Sequence, residues 1–168
     1  MATQQPEPWL RGTLTDVDAV QRAILHALEL AGEDIQEWCG GLSDAELNAR
    51  PHDLTPVAFH LRHIARSLDR LLSYAEGTQL DGTQIVAMKS ELEPGATHDE
   101  LFAEVHEALA LSAQRVRAFS PSQMSDERGV GKKMLPTSVG GLLVHCADHT
   151  QRHVGQAITT AKIARAQS

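Results

Sequence analysis

At 168 residues, with 42% hydrophobic and 22% charged side chains, the chain has the size and balance of one soluble globular domain. It is long enough to bury a core without staples. A formal net charge of -7 excludes nucleic acid as an expected partner, because neutralising phosphates takes clustered Lys and Arg.

Residues 1–8 are polar, with no apolar run of the kind a signal peptide needs, and 1–10 are expected to be flexible. The first predicted helix spans 14–39, where Leu14, Val17, Ile24, Leu25, Leu28, Ile35 and Trp38 recur at three- and four-residue steps. Gly40-Gly41 stops it, and Ser43-Asp44-Ala45-Glu46 has the capping-box form of a short turn ending near Pro51. The second helix starts near Pro56 with Thr55 or a neighbour as its expected cap, and Leu61, Ile64, Leu68, Leu71, Leu72 and Ala75 form its stripe up to Gly77. Residues 78–97 form a long connection in which 83–92 add a short helix.

The third helix covers 98–119, with Leu101, Val105, Leu109 and Val116 on one side. Residues 121–136 read as a loop, and the fourth helix opens at Thr137 or Ser138 and runs to Ile163. Strand-like alternation does not persist anywhere, so an all-α four-helix bundle without a sheet is expected. Leu, Ala, Val and Ile must fill its core, because aromatics are only 4%. Two connections exceed ordinary bundle loops, which points to at least one crossover. Arg62, Arg66 and Arg70, interrupted by Asp69, read as a solvated helix face. Residues 1–168 are taken as one domain, and no apolar run reaches the roughly 20 residues of a membrane span. Cys39 and Cys146 lack Cys-x-x-Cys spacing, which fits a reducing, cytoplasmic setting.

Chemistry is suggested by the histidines. Of nine, His145, His149 and His153 follow one another at four-residue intervals in the fourth helix. Neighbours in such a row have Cβ atoms about 5–6 Å apart, close enough for two imidazoles to meet one ion. His149 and His153 fall at the centre of the stripe made by Val139, Leu142, Cys146, Ala157 and Thr160, whereas His145 falls at its edge. Two readings stand: a buried pair satisfied by hydrogen bonds, or a pair of metal ligands. For a third ligand the second helix offers His60 and His63, and helical periodicity places His60 nearer the leucine stripe. His52 is a candidate loop ligand, and His26, His98 and His106 read as surface or interhelical residues. A di-iron carboxylate site is disfavoured, since Ala103 and Cys146 stand where Glu-x-x-His would need glutamate. Nucleophile elbows, phosphate loops and dinucleotide fingerprints are missing too.

The run His145-Cys-Ala-Asp-His149-Thr-Gln-Arg-His153-Val-Gly-Gln156 resembles the last-helix motif of the DinB-like (DinB/YfiT) superfamily. Pro56-Val-Ala-Phe-His-Leu-Arg-His63-Ile-Ala resembles its second-helix motif, and Gly41 through Pro51 resembles the connection before that helix. The resemblance implies a bundle with up-down-down-up connectivity and a divalent metal, zinc or nickel, held by His63, His149 and His153. It therefore selects His63 where periodicity selected His60. Three neutral imidazoles leave a coordination position open, as catalytic sites do. By resemblance the chain is a metal-dependent enzyme, a thiol-S-transferase acting on small electrophiles or else a hydrolase. The alternative is a non-enzymatic metal-binding or stress-linked bundle. His60, His145 and Asp148 are candidates for supporting ligands or moving protons, and Asp148 also reads as an exposed helix residue. Expected partners are a small-molecule substrate, a low-molecular-weight thiol and a second copy of the chain in a homodimer, with neither nucleic acid nor membrane.

Overall fold

The computed structural model describes residues 5–167. In chain order it contains helices α1 (Ala19–Cys39), α2 (Asp44–Asn48), α3 (Val57–Ala75), α4 (Gly82–Lys89) and α5 (His98–Ala118), strands β1 (Glu127–Val130) and β2 (Leu135–Ser138), and helix α6 (Val139–Gln167). Each of α1 and α3 packs against both α5 and α6. Their apolar faces, including Leu28, Ile35, Leu61, Ile64, Leu68, Val105, Val116 and Leu143, merge into one buried cluster.

Cross-helix contacts fix the relative directions. Gln151 donates to the Ala27 carbonyl and Lys162 stands 4.0 Å from the Trp38 ring centre, so α6 runs parallel to α1. Thr160 donates to the Thr55 carbonyl just before α3, while Arg128, just before α6, donates to the Ala75 carbonyl at the end of α3. Helices α3 and α6 are therefore antiparallel. Arg66 pairs with Glu104 and Arg115 with Glu76, which makes α3 and α5 parallel. Gln21 donates to the Val116 and Phe119 carbonyls, whereas Gly40 lies beside His98, so α1 and α5 are antiparallel.

Local signals explain most boundaries. Ser43–Glu46 and Thr97–Glu100 form reciprocal capping boxes at α2 and α5. Helix α1 starts later than the apolar spacing predicts. Leu14 adopts a left-handed φ of 57°, and the Asp18 carboxylate caps the helix by accepting from the Val20 amide. At α3 the neighbour of Thr55, Pro56, occupies the cap position, and no side chain caps the helix. Gly77, with φ 85°, turns the chain away after α3, and α4 fills the expected short-helix position.

The segment read as a loop before the last helix contains an antiparallel hairpin, pairing Glu127 with Ser138 and Val130 with Leu135. Its strands are four residues each, with Gly129 opposite Pro136 and no alternating buried face to read. Gly131, at φ 69°, supplies the left-handed turn residue. A further correction concerns the arginine row of α3. Arg62, Arg66 and Arg70 are half-buried and clasp α4 and the α4–α5 connection through the Glu93 carbonyl, the Ala87 carbonyl and the Glu91 carboxylate respectively.

At the N-terminus, residues 1–4 lie outside the described residues. The rest of the segment expected to be flexible forms a 3-10 turn, Pro8–Leu10, against α1, and Arg11 binds both carboxylate oxygens of Glu33. Among the described residues no helix is long and apolar enough to cross a membrane.

Candidate metal centre

Because α3 and α6 run antiparallel, the first two turns of α3 lie against the middle of α6. His60 and His63 project from the former and His149 and His153 from the latter. One nitrogen each from His63, His149 and His153 falls within 4.8 Å of the other two. The ring centres of His63 and His153 are 4.3 Å apart, those of His149 and His153 4.6 Å, and those of His63 and His149 5.0 Å. His63 Nε2 and His149 Nε2 face each other at 2.8 Å.

His60 points inward, as periodicity indicates, and is only 4% exposed. Its Nδ1 meets His153 Nδ1 at 3.0 Å, and it is not one of the three converging residues. His63, which periodicity placed further round the helix, is the α3 member of the triplet. One helical turn separates the two, and this near the end of a bundle both can reach the interior.

Burial sets the protonation of these rings. It pushes His60, His149 and His153 down to about 4, with positive charge on neighbouring histidines adding to the effect. All three are therefore neutral near pH 7 and carry a free lone pair. Two facing imidazole nitrogens can share at most one proton, and His149 Nδ1 is buried with no hydrogen-bond partner among the described residues. Such a cluster is costly as a purely structural feature. A donor set of neutral imidazoles suits a borderline divalent cation, and the residues present fit one.

Sequence reasoning missed Glu91. This carboxylate lies just after α4, is 6% exposed, and accepts from His63 Nδ1 at 2.7 Å and from Arg70 at 2.6 Å. Burial works to raise it, but the hydrogen bonds from His63 and Arg70 hold it below the usual carboxylate range. No periodic signal separates Glu91 from Glu93, since both stand in an irregular connection. Phe59 stacks on His63 with ring centres 5.2 Å apart and planes 17° from parallel.

The remaining candidates lie outside the triplet. His145 pairs with Asp148 at 2.8 Å on the rim, with both side chains about half exposed. His52 sits in the 3-10 turn Pro51–Asp53. His26 is buried against Thr13, and His98 stacks on Phe102. Cys146 is buried and its thiol is pushed up to about 12 by that burial, so it is a core residue.

An open cleft of about 540 Å³ borders the cluster, walled by Leu54, Phe59, His60, Arg152, His153 and Gln156. A larger groove of about 750 Å³ runs between α1 and α5 over Leu25, Leu28 and Leu109. It holds none of the clustered histidines, so size does not locate the chemistry here.

The sequence profile of the DinB superfamily matches residues 27–157, which include every residue of the triplet. The chain belongs to the DinB superfamily. No curated protein matches it. Among solved structures, a conserved protein from Enterococcus faecalis superposes with a TM-score of 0.74 at 20% identity, covering 89% of this chain and 99% of that one. At that identity the likeness speaks for the fold: this DinB-superfamily chain shares its helical architecture.

Proposed function

We propose that this DinB-superfamily protein is a metal-dependent enzyme whose divalent ion, zinc or nickel, is held by His63, His149 and His153. The observation that carries the reading is the convergence of three imidazoles, two of them kept neutral by burial, beside an open cleft. When bound, such an ion supplies Lewis acidity that brings a coordinated water or thiol towards ionisation near neutral pH.

The reaction class we favour is thiol-S-transfer from a low-molecular-weight thiol to a small electrophile. Phe59 and Leu54 give the cleft an apolar wall for the body of a substrate. Arg152, 58% exposed and 3.9 Å from Asp148, offers a positive charge to a carboxylate on the incoming molecule. Among the described residues no aspartate or glutamate lines the cleft, so proton transfer there would fall to His60. The same lack of a carboxylate base favours, as a second reading, a non-enzymatic metal-binding bundle. A reducing cytoplasmic setting belongs to this proposal, and the two free buried cysteines suit it. So does a homodimer, which sizing at two concentrations would test.

The experiment is metal analysis of the purified protein followed by thiol-consumption assays with several small thiols and a generic electrophile. The transferase reading expects one ion per chain and a rate above that of free metal plus thiol. Stoichiometric metal with no such rate for any thiol leaves the binding module.

A further inference from the structure

We propose that Glu91 is a positioning residue for the histidine triplet: its carboxylate holds the His63 ring with Nδ1–H turned outward and Nε2 turned towards His149 and His153. The inference rests on the metal-site reading above.

The two Glu91 oxygens are used separately, one by His63 Nδ1 and one by Arg70. An ionised carboxylate only accepts, so the shared proton belongs to His63 Nδ1. In the neutral ring the lone pair then sits on Nε2, the atom 2.8 Å from His149 Nε2. Phe59 fixes the plane of the same ring by stacking on its face. His63 is thus held at its edge and on its face.

The other two rings have no such support. His153 Nδ1 meets another imidazole, and His149 Nδ1 has no partner. Glu91 is the carboxylate that orders this triplet, and a carboxylate behind a ligating imidazole also raises its basicity.

A plain tether offers the competing account, since Glu91 also ties the α4–α5 connection to α3. That tether already exists without it. Arg66 reaches the Ala87 carbonyl at 2.7 Å, Ser90 Oγ at 2.9 Å and Glu104 at 2.6 Å, and Arg62 reaches the Glu93 carbonyl. Burying a carboxylate against His63 adds nothing a tether needs and carries a desolvation cost.

The test compares wild type with Glu91→Ala, Glu91→Gln and, as the tether control, Arg66→Ala. Three readouts apply: zinc affinity by competition with a chromophoric chelator, the visible absorption of bound cobalt(II), and the His63 tautomer in the metal-free protein by long-range ¹H–¹⁵N NMR. Glu91→Ala is expected to weaken zinc binding roughly 10–100-fold, to alter the cobalt bands and to scramble the His63 tautomer. Glu91→Gln, which keeps an acceptor but not the charge, should fall between it and wild type, and it carries the test where the alanine variant does not fold. Arg66→Ala should lower the melting temperature yet keep wild-type affinity and spectrum. Wild-type affinity, spectrum and tautomer in both Glu91 variants would overturn the proposal and leave Glu91 a tether. Should wild type itself bind neither ion, the metal reading fails, and the tautomer measurement still decides whether Glu91 orders His63.

Discussion

The two halves of this bundle use the same helical packing for opposite ends. Between α1 and α5 the facing residues are Leu25, Leu28, Gly32 and Leu109, and the groove above them is floored by aliphatic side chains. Between α3 and α6 the equivalent positions hold four histidines, which meet nitrogen to nitrogen as two pairs across the helices, and one of them, His63, also bonds the buried Glu91. Aliphatic packing needs no partner beyond shape, whereas each inward imidazole needs a donor, an acceptor or an ion. On the α3–α6 side His149 Nδ1 is left without a hydrogen-bond partner among the described residues, and the three converging imidazoles could hold a metal ion.

The largest effect that would sharpen this contrast is expected from His149→Ala. It removes one member of the triplet and should abolish stoichiometric metal binding and any transferase activity together, while circular dichroism stays helical. Retention of one tightly held ion would break the comparison at its centre.

Acidification comes next. His60, His149 and His153 sit at about 4 in the folded protein, against about 6.5 in an unfolded chain. Between those values the unfolded state binds more protons, so the metal-free protein should lose stability as pH falls from 6.5 towards 4 and be insensitive to these groups above 7. An unperturbed histidine would place ligand protonation, and hence metal release, between about pH 6 and 5. The buried cluster moves that release lower, towards pH 5 to 4. Melting temperatures of apo and loaded protein across this range check both statements, and identical values at pH 7 and 5 for the apo form would contradict them.

On the aliphatic side, Leu28→Ala should cost about 2–5 kcal/mol by leaving a cavity, since Leu28 is 3% exposed. Zinc affinity should stay within experimental scatter of wild type, because Leu28 lines the α1–α5 groove, whose walls include none of the triplet. Denaturant unfolding with parallel zinc titration measures the two numbers. Smallest of all, Thr97→Ala removes the cap of α5 and should cost about 1 kcal/mol with no change at the site.

What the sequence made legible follows from how local each signal is. Helix stripes, the Ser43 capping box and the four-residue spacing of His149 and His153 are written within single elements, so local sequence is enough to read them. The start of α1 was missed because Leu14 continues the apolar spacing while its backbone turns left-handed, which spacing does not encode. The hairpin at 127–138 escaped for want of a buried face. Choosing between His60 and His63 needed the crossing of α3 over α6, a tertiary fact. Glu91 needed still more, the path of the α4–α5 connection across α3. Arg70, read alone as a solvated cation, becomes intelligible only once that path brings Glu91 beneath it.

The central claim is that three inward imidazoles form a divalent metal site, and zinc stoichiometry of chelator-stripped protein by equilibrium dialysis at neutral pH tests it most directly. The account expects one ion per chain in wild type and none in His149→Ala. Wild-type protein that takes up no zinc, nickel or cobalt, or a His149→Ala variant that binds as wild type does, would contradict it.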